Sequence, residues 1–279
     1  MGTTLIERAI VGEIRQRWNI GFITAIFIAF IFIFPIVSIV WLSISADTSQ
    51  WRHLISTVLP RYLTNSLVLM GGVGFVSLFL GTSLAYLVTN IKFPGSKIIK
   101  YALFLPLTMP SFIAAYAWVE VLEYAGPLQT SLRTALGWSS AREYWFPNIR
   151  SRLGAILVLS FALYPYVYLL ARSAFRELPS SGQDVARSLG LGHVRQFWRI
   201  CLPQGRPAIA AGTAIVMMET LNDFGTVDYF AVQTLTTGIF SLWLESYNPG
   251  GAAQLALFAV VIVAALLLVE RLGLSLIHI

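Results

Sequence analysis

The side chains able to do chemistry in this sequence are few and widely separated. His53, His193 and His278 are scattered along the chain, and Cys201 is the single cysteine, so neither a histidine metal cluster nor a disulfide framework can be assembled. The phosphate-cradling pattern G-x-x-x-x-G-K-[ST] is absent. Its nearest fragment, FPGSK at 93–97, lacks the first glycine at the required spacing, so ATP is not expected to bind here. Glu219 and Asp223 are more suggestive, because acids near the end of an apolar run stand where a charge is costly unless it has a role. Two readings stand for them: lining a cation path, or serving as interfacial acids satisfied by water. Glu120 and Glu123 raise the same question more weakly. Tyr164, Tyr166 and Tyr168 surround Pro165, where a packed, kinked helix is favoured over ligation of ferric iron.

The most patterned polar stretch is DVARSLGLGHVRQFWRICLP, Asp184 to Pro203, set between two apolar runs. Upstream, Ser180 with Gln183 three residues later forms a capping box that starts a helix. Val185, Ala186 and Leu189 share a face of that helix, and Gly190 and Gly192 end it by permitting positive φ. Val194, Phe197, Trp198 and Cys201 follow at i, i+3, i+4 and i+7, the spacing of a second amphipathic helix. Pro203 is expected to stop it. Physical chemistry alone leaves two uses for such a pair: arginines resting on anionic lipid, or a knob docking into a cytoplasmic partner.

The elements that must hold this segment are membrane spans. The chain has 279 residues, of which 57% are hydrophobic and only 11% charged. Soluble domains carry about 25% charged residues, so too few are present here to cover a water-facing surface. Ile20–Ser43 contains no ionisable residue over more than the roughly 20 helical residues that cross a bilayer core. It is too long for the apolar core of a signal peptide, and Pro35 is expected to kink it without ending it. Five further runs follow at Asn65–Thr89, Ile98–Val119, Leu153–Ala171, Arg206–Asn222 and Ala252–Glu270. The expected fold is therefore an all-α integral membrane protein of six transmembrane helices, with a cytoplasmic loop at 172–205 between spans four and five. Gly71, Gly72, Gly74 and Gly81 in the second run suit close helix packing better than a helix break.

With residues 1–19 placed inside, thirteen of the nineteen Lys and Arg fall on the cytoplasmic side, which sets the N-terminus in the cytoplasm. The same bias accounts for the net charge of +6 without nucleic acid. The loop 120–152 translocates four arginines against this rule. Trp138, Tyr144 and Trp145 within that loop suit an interfacial cap.

The Asp184–Pro203 segment resembles the signature loop of ATP-binding-cassette importer permeases, whose pattern is Glu-Ala-Ala, three residues, Gly, nine residues, Ile-x-Leu-Pro. Here Asp184-Val185-Ala186 precede Gly190 by that spacing, and Ile200, Leu202 and Pro203 follow at theirs. Asp184 and Val185 are the departures: one shortens a carboxylate and keeps its charge, the other adds bulk. The resemblance implies coupling helices that fit a groove on a cytoplasmic ATPase dimer. Asp184, Val185, Ala186, Arg187, Gly190, Ile200, Leu202 and Pro203 would be the coupling residues, with Arg187 a charged contact. YLTNSLVLM at 62–70 and AYLVTNIKFPGSK at 85–97 resemble the start of the permease core. METLNDFGTVDYF at 218–230, with TTGIFSLW, resembles the ferric-iron branch, while related branches import thiamine, phosphonates or polyamines.

By this resemblance the chain is a transport subunit, not an enzyme, in the bacterial inner membrane. Its expected partners are an ATPase dimer holding ATP and Mg²⁺, a periplasmic substrate-binding protein, a second permease half or copy, and membrane lipid. The chain itself would hold no cofactor. Ferric-branch permeases often fuse two six-span halves, so the chain reads as a first half, with 273–279 a non-native or truncated tail. An ion-coupled secondary transporter and a lipid-binding membrane scaffold are the rival classes. Neither requires the loop's spacing.

Overall fold

Leu59–Asn90, here α2, is the longest helix of the chain, following α1, Ile20–Ile44. These belong to a computed structural model that describes residues 20–46, 54–178, 190 and 192–275. Pro60 sits in the first turn of α2, where its missing N–H would have had no helical partner in any case. The next elements are α3, Ser96–Ala102, a 3₁₀ turn at Leu105–Thr108, α4, Ser111–Leu122, and α5, Pro127–Leu136. The second half holds α6, Arg152–Glu177, and then α7, His193–Gln196, which runs through a π turn at Phe197–Cys201 into α8, Leu202–Asn222. Short helices α9, Gly225–Tyr229, and α10, Leu235–Phe240, fold back before α11, Pro249–Ser275. No strand occurs among the described residues, as lipid requires of any span that is not a closed barrel.

The core is made by α2, α6 and α8. The glycines of α2 do not break the helix. Gly72 lies against Ile156 of α6, Gly74 against Met217 of α8, and Gly81 against Val167 and Tyr168 of α6, while Gly71 faces open space. A Cβ on Gly81 would come 2.7 Å from Val167 Cβ and 2.8 Å from the Tyr168 backbone nitrogen. On α8, a Cβ on Gly212 would come 2.8 Å from Val167 Cα. Both helices thus reach the α6 backbone at one point.

α1 lies outside this core and packs on α11, and its long apolar side chains are exposed along its length, as a lipid-facing helix would have them. The Gln254 side chain donates to the Ser43 carbonyl at 3.1 Å and ties the two together. α1 continues through Pro35.

The structure departs from the expected spans in two places. Four helices among the described residues, beginning at Gly21, Ile55, Arg152 and Pro249, are long and apolar enough to cross a membrane. The third expected span, Ile98–Val119, is no single helix: its two parts, Ser96–Thr108 and Ser111–Leu136, are bent by 100° and count as a fifth crossing only if taken together. Proline is the cause. Pro110 disfavours helical dihedrals at the residue before it, and Met109 is extended at φ −110°, ψ 132°. Pro203 likewise does not stop a helix. It falls in the first turn of α8, and the chain stays helical from His193 to Asn222. The ladder shifts just before it, with Leu202 N–H bonded to the Phe197 carbonyl in the π turn, because proline brings no donor of its own. α8 is less apolar than the other long helices, carrying Gln204, Arg206 and Glu219.

A Gly81→Ala substitution is expected to destabilise the purified chain by about 1–3 kcal/mol, the usual cost of overpacking against backbone that cannot move aside. Gly71→Ala should leave stability within about 0.5 kcal/mol. Thermal unfolding in detergent distinguishes the two.

Candidate functional site

Asp184, Val185, Ala186 and Arg187, and the capping pair Ser180 and Gln183, lie outside the described residues. Ser188, Leu189 and Leu191 lie outside them too, so of the patterned segment Gly190 and Gly192–Pro203 are described. Gly190 has φ +70°, the left-handed conformation that glycine adopts without steric cost. Gly192 differs from expectation: its φ is −67° and it caps α7 in an extended conformation.

From Gly192 the chain is held against the core. The Tyr86 hydroxyl of α2 donates to the His193 carbonyl at 2.7 Å, and its ring meets Phe197 edge-on at 4.9 Å and Phe175 of α6 at 6.3 Å. Gly205 leaves room for the Phe175 ring, since a Cβ there would stand 2.7 Å from it. Cys201 is fully buried in the same cluster, where burial raises its thiol above the ordinary range. Ile200, Leu202 and Pro203 are half-buried. The buried face is Gln196, Phe197 and Cys201, whereas Val194 and Trp198, whose spacing puts them on one amphipathic face with Phe197 and Cys201, are exposed at 72% and 63%. The register turns because the π turn adds a residue to one helical turn. Gln196 is buried with no partner for its Nε2 atom, and Asn90 Oδ1 at the end of α2 is likewise unpaired.

At the other end of the bundle, Asp223 follows α8 and closes it onto two other segments. Its carboxylate accepts from the Thr226 backbone N–H at 2.8 Å, the Thr226 hydroxyl at 3.0 Å, the Val227 N–H at 3.3 Å and the Ser111 hydroxyl of α4. Thr236 donates to the Asp223 carbonyl at 3.0 Å. Asp223 therefore pins the bent third segment and α9 to the C-terminal end of α8. Glu219, one turn earlier, is exposed. The two acids are not brought together on one face.

Glu123 pairs with Arg150 at 2.9 Å, and Glu120 is exposed. The Arg150 guanidinium also lies over the Tyr229 ring, 4.7 Å from its centroid. Tyr164 and Tyr168 donate to the carbonyls of Leu103 and Lys100, so these hydroxyls bind backbone. Trp138 stacks on Tyr144 at 4.8 Å, while Trp145 is almost wholly exposed. No group of three or more His, Cys, Asp or Glu side chains able to hold a metal ion occurs among the described residues.

Charge divides the bundle. The end carrying α3, α7 and the closes of α6 and α11 holds Lys92, Lys97, Lys100, Arg172, Arg176, Arg195, Arg199, Arg206 and Arg271 against two acids, Glu177 and Glu270, among the described residues. The opposite end holds Arg61, Arg133, Arg142, Arg150 and Arg152 among the acids Glu120, Glu123, Glu143, Glu219, Asp223, Asp228 and Glu245. There a cavity of about 690 Å³ is lined by Arg61, Arg150 and Arg152 with Thr64 and Asn65, and by no acid. Sequence reasoning missed Tyr86, Phe175, Gly205 and Ser111. Tyr86 is a lone phenol at the charged end of a long apolar run, and that was the one available signal.

These features define a multi-span helical membrane protein with a segment anchored across its basic end. The chain belongs to the family of binding-protein-dependent transport system inner membrane components, whose model matches residues 77–273. It is 28% identical over 198 residues to the Fe(3+)-transport system permease protein FbpB 2 of Haemophilus influenzae, covering 71% of this chain and 34% of that protein. It therefore spans about a third of that relative's length. A probable molybdenum ABC transporter permease of Haloferax volcanii is 25% identical over 271 residues, 96% of this chain and 95% of that one. Among solved structures, a bacterial alginate ABC transporter in complex with its alginate-bound periplasmic protein contains a chain of similar fold. The TM-score is 0.75 at 17% identity, over 93% of this chain and 94% of that one. A chain of the MetNI methionine ABC transporter in an inward-facing conformation matches with a TM-score of 0.63 at 14% identity, over 80% and 97%.

Tyr86→Phe removes one hydrogen bond from the anchor and leaves the ring. Stability should fall by only about 1 kcal/mol, while amide hydrogen exchange over 193–201 should quicken markedly. Asp223→Ala, which strands several donors, should cost more, about 2–4 kcal/mol, read as a drop in melting temperature.

Proposed function

We propose that this chain is the membrane-spanning subunit of an ATP-driven importer, and that Asp184–Pro203 couples it to a cytoplasmic ATPase dimer. One observation carries the reading. Gly190 adopts its left-handed turn within the motif spacing, and the Ile200–Pro203 end of that motif runs without a break into α8, a core helix. A push on the loop then reaches α6 at one end and α8 at the other, and both grip α2 through Tyr86, Gly81 and Gly74. Rigid-body movement of packed helices is the natural response to such a lever. Asp184 and Arg187 would pair with charges at the rim of the ATPase groove, and Ile200 and Leu202 would hold the lever to the core.

Six crossings complete this reading, counting the bent segment as one and α8 as another. The lysine- and arginine-rich end then faces the cytoplasm, which places the N-terminus inside a bacterial inner membrane and turns the mixed-charge end toward a periplasmic binding protein. A second copy or half would complete the pathway.

Ferric iron is the first candidate substrate, supported by the resemblance of Met218–Phe230 to the ferric branch and by the iron permease among the relatives. Glu219, exposed on α8, and Asp223 are the candidate path residues for such a cation. A second reading, an oxyanion such as molybdate or sulfate, is favoured by the acid-free arginine cavity at the outer end.

Gly190→Trp should lower ATP-dependent uptake at least tenfold in vesicles carrying the assembled transporter and loosen co-purification of the ATPase. Unchanged uptake in that variant would remove the coupling role. Radiolabelled ferric iron, molybdate and sulfate, supplied in parallel, separate the substrate readings.

A further inference from the structure

The basic end of the bundle holds a cavity that coupling does not use. It measures about 400 Å³ and is lined by Lys97, Lys100, Arg172 and Arg176, with the hydroxyl residues Thr89 and Ser96. No acid lines it. The nearest carboxylate in sequence, Glu177, accepts from the Ser173 hydroxyl, and the one ion pair among the described residues, Arg150 with Glu123, belongs to the opposite end.

The fold brings these four cations together deliberately far from their order in the chain. Tyr168 of α6 donates to the Lys100 carbonyl at 3.0 Å, and Tyr164 donates to the Leu103 carbonyl at 2.7 Å. These two bonds hold α3 along the inner part of α6 and so set Lys97 and Lys100 opposite Arg172 and Arg176. Like charges gathered around one hollow repel each other, and an anion in the hollow reverses the sign of that interaction. Phosphate suits it best, because guanidinium forks and ammonium groups both bind phosphate oxygens and the two hydroxyls add donors.

The rim indicates the source of that phosphate. Ile98 and Tyr101, on the same short helix as the lysines, are exposed at 75% and 57%. Apolar and aromatic side chains set beside lysines are the pattern of a membrane interface, where the rings and stems meet acyl chains and the charges meet headgroups. A soluble anion would gain nothing from that apolar rim.

We propose that this cavity binds the phosphate of an anionic phospholipid, seating the headgroup between α3 and α6 while the acyl chains lie along Ile98 and Tyr101. The lipid would then clamp the bent third segment to the core helix that leads into the coupling loop.

The full chain, purified in detergent, is titrated with phosphatidylglycerol, with phosphatidylcholine, and with inorganic phosphate in a third arm, and bound species are counted by native mass spectrometry. Lys97 and Arg176 are both exposed, so the variant Lys97→Gln with Arg176→Gln should fold, which circular dichroism melting checks. Wild type is expected to prefer phosphatidylglycerol, and the double variant to bind it about 30-fold more weakly, from roughly 1 kcal/mol per charge near a membrane surface. Arg133→Gln with Arg142→Gln makes the same charge change at the opposite end, away from both arginine- and lysine-lined cavities, and should leave binding unaltered. Equal binding of the two lipids, an unchanged double variant, or an equal loss in the Arg133/Arg142 control would each overturn the proposal. Binding of inorganic phosphate as tight as that of the lipid would assign the cavity to a free anion.

Discussion

Val167 of α6 is touched by two other helices at positions where neither has a side chain. Gly81 of α2 and Gly212 of α8 both approach it so closely that a single added carbon would collide with backbone. In lipid, helices gain nothing by hiding apolar surface from water, so close packing must supply the attraction between them. The rest of the molecule depends on this contact. It sets the spacing of the three core helices, brings Tyr86 within reach of the His193 carbonyl, and leaves room for Phe175 against Gly205. α1 and α11, which lack such a contact with the core helices, pair with each other at the margin.

The two ends of the bundle are finished differently. At the basic end α7 and the π turn after it are held to the core by one hydroxyl and a cluster of rings. At the opposite end the turns are stitched by hydrogen bonds: Asp223 to Ser111, Thr226 and Val227, and Thr234 with Thr237 in a reciprocal cap of α10. Glu143 belongs to the same end, its carboxyl held below the usual range first by the Ser139 hydroxyl and then by the Ser139 backbone N–H.

The outer acids show how far side-chain type alone can lead. Glu219 and Asp223 are four residues apart, and that spacing suggests one helix face. The helix ends at Asn222, so Asp223 turns away and spends its oxygens on backbone and hydroxyl donors. Glu219 stays on the exposed face of α8, and the two carboxylates meet different surroundings.

Sequence by itself determined the helical class, the membrane setting, the glycine-mediated packing of α2 and the spacing within Asp184–Pro203. These rest on composition, on runs of apolar residues and on local conformational freedom, all of which act over a few turns of chain. Only the tertiary structure decided that the third span bends at Pro110, that Pro203 lies within a helix, that Val194 and Trp198 face outward, and that four cations from two separate segments share one hollow. Each of these outcomes depends on partners distant in the chain or on the hydrogen-bond shift forced by a missing proline donor. Pattern within a short window carries no record of either.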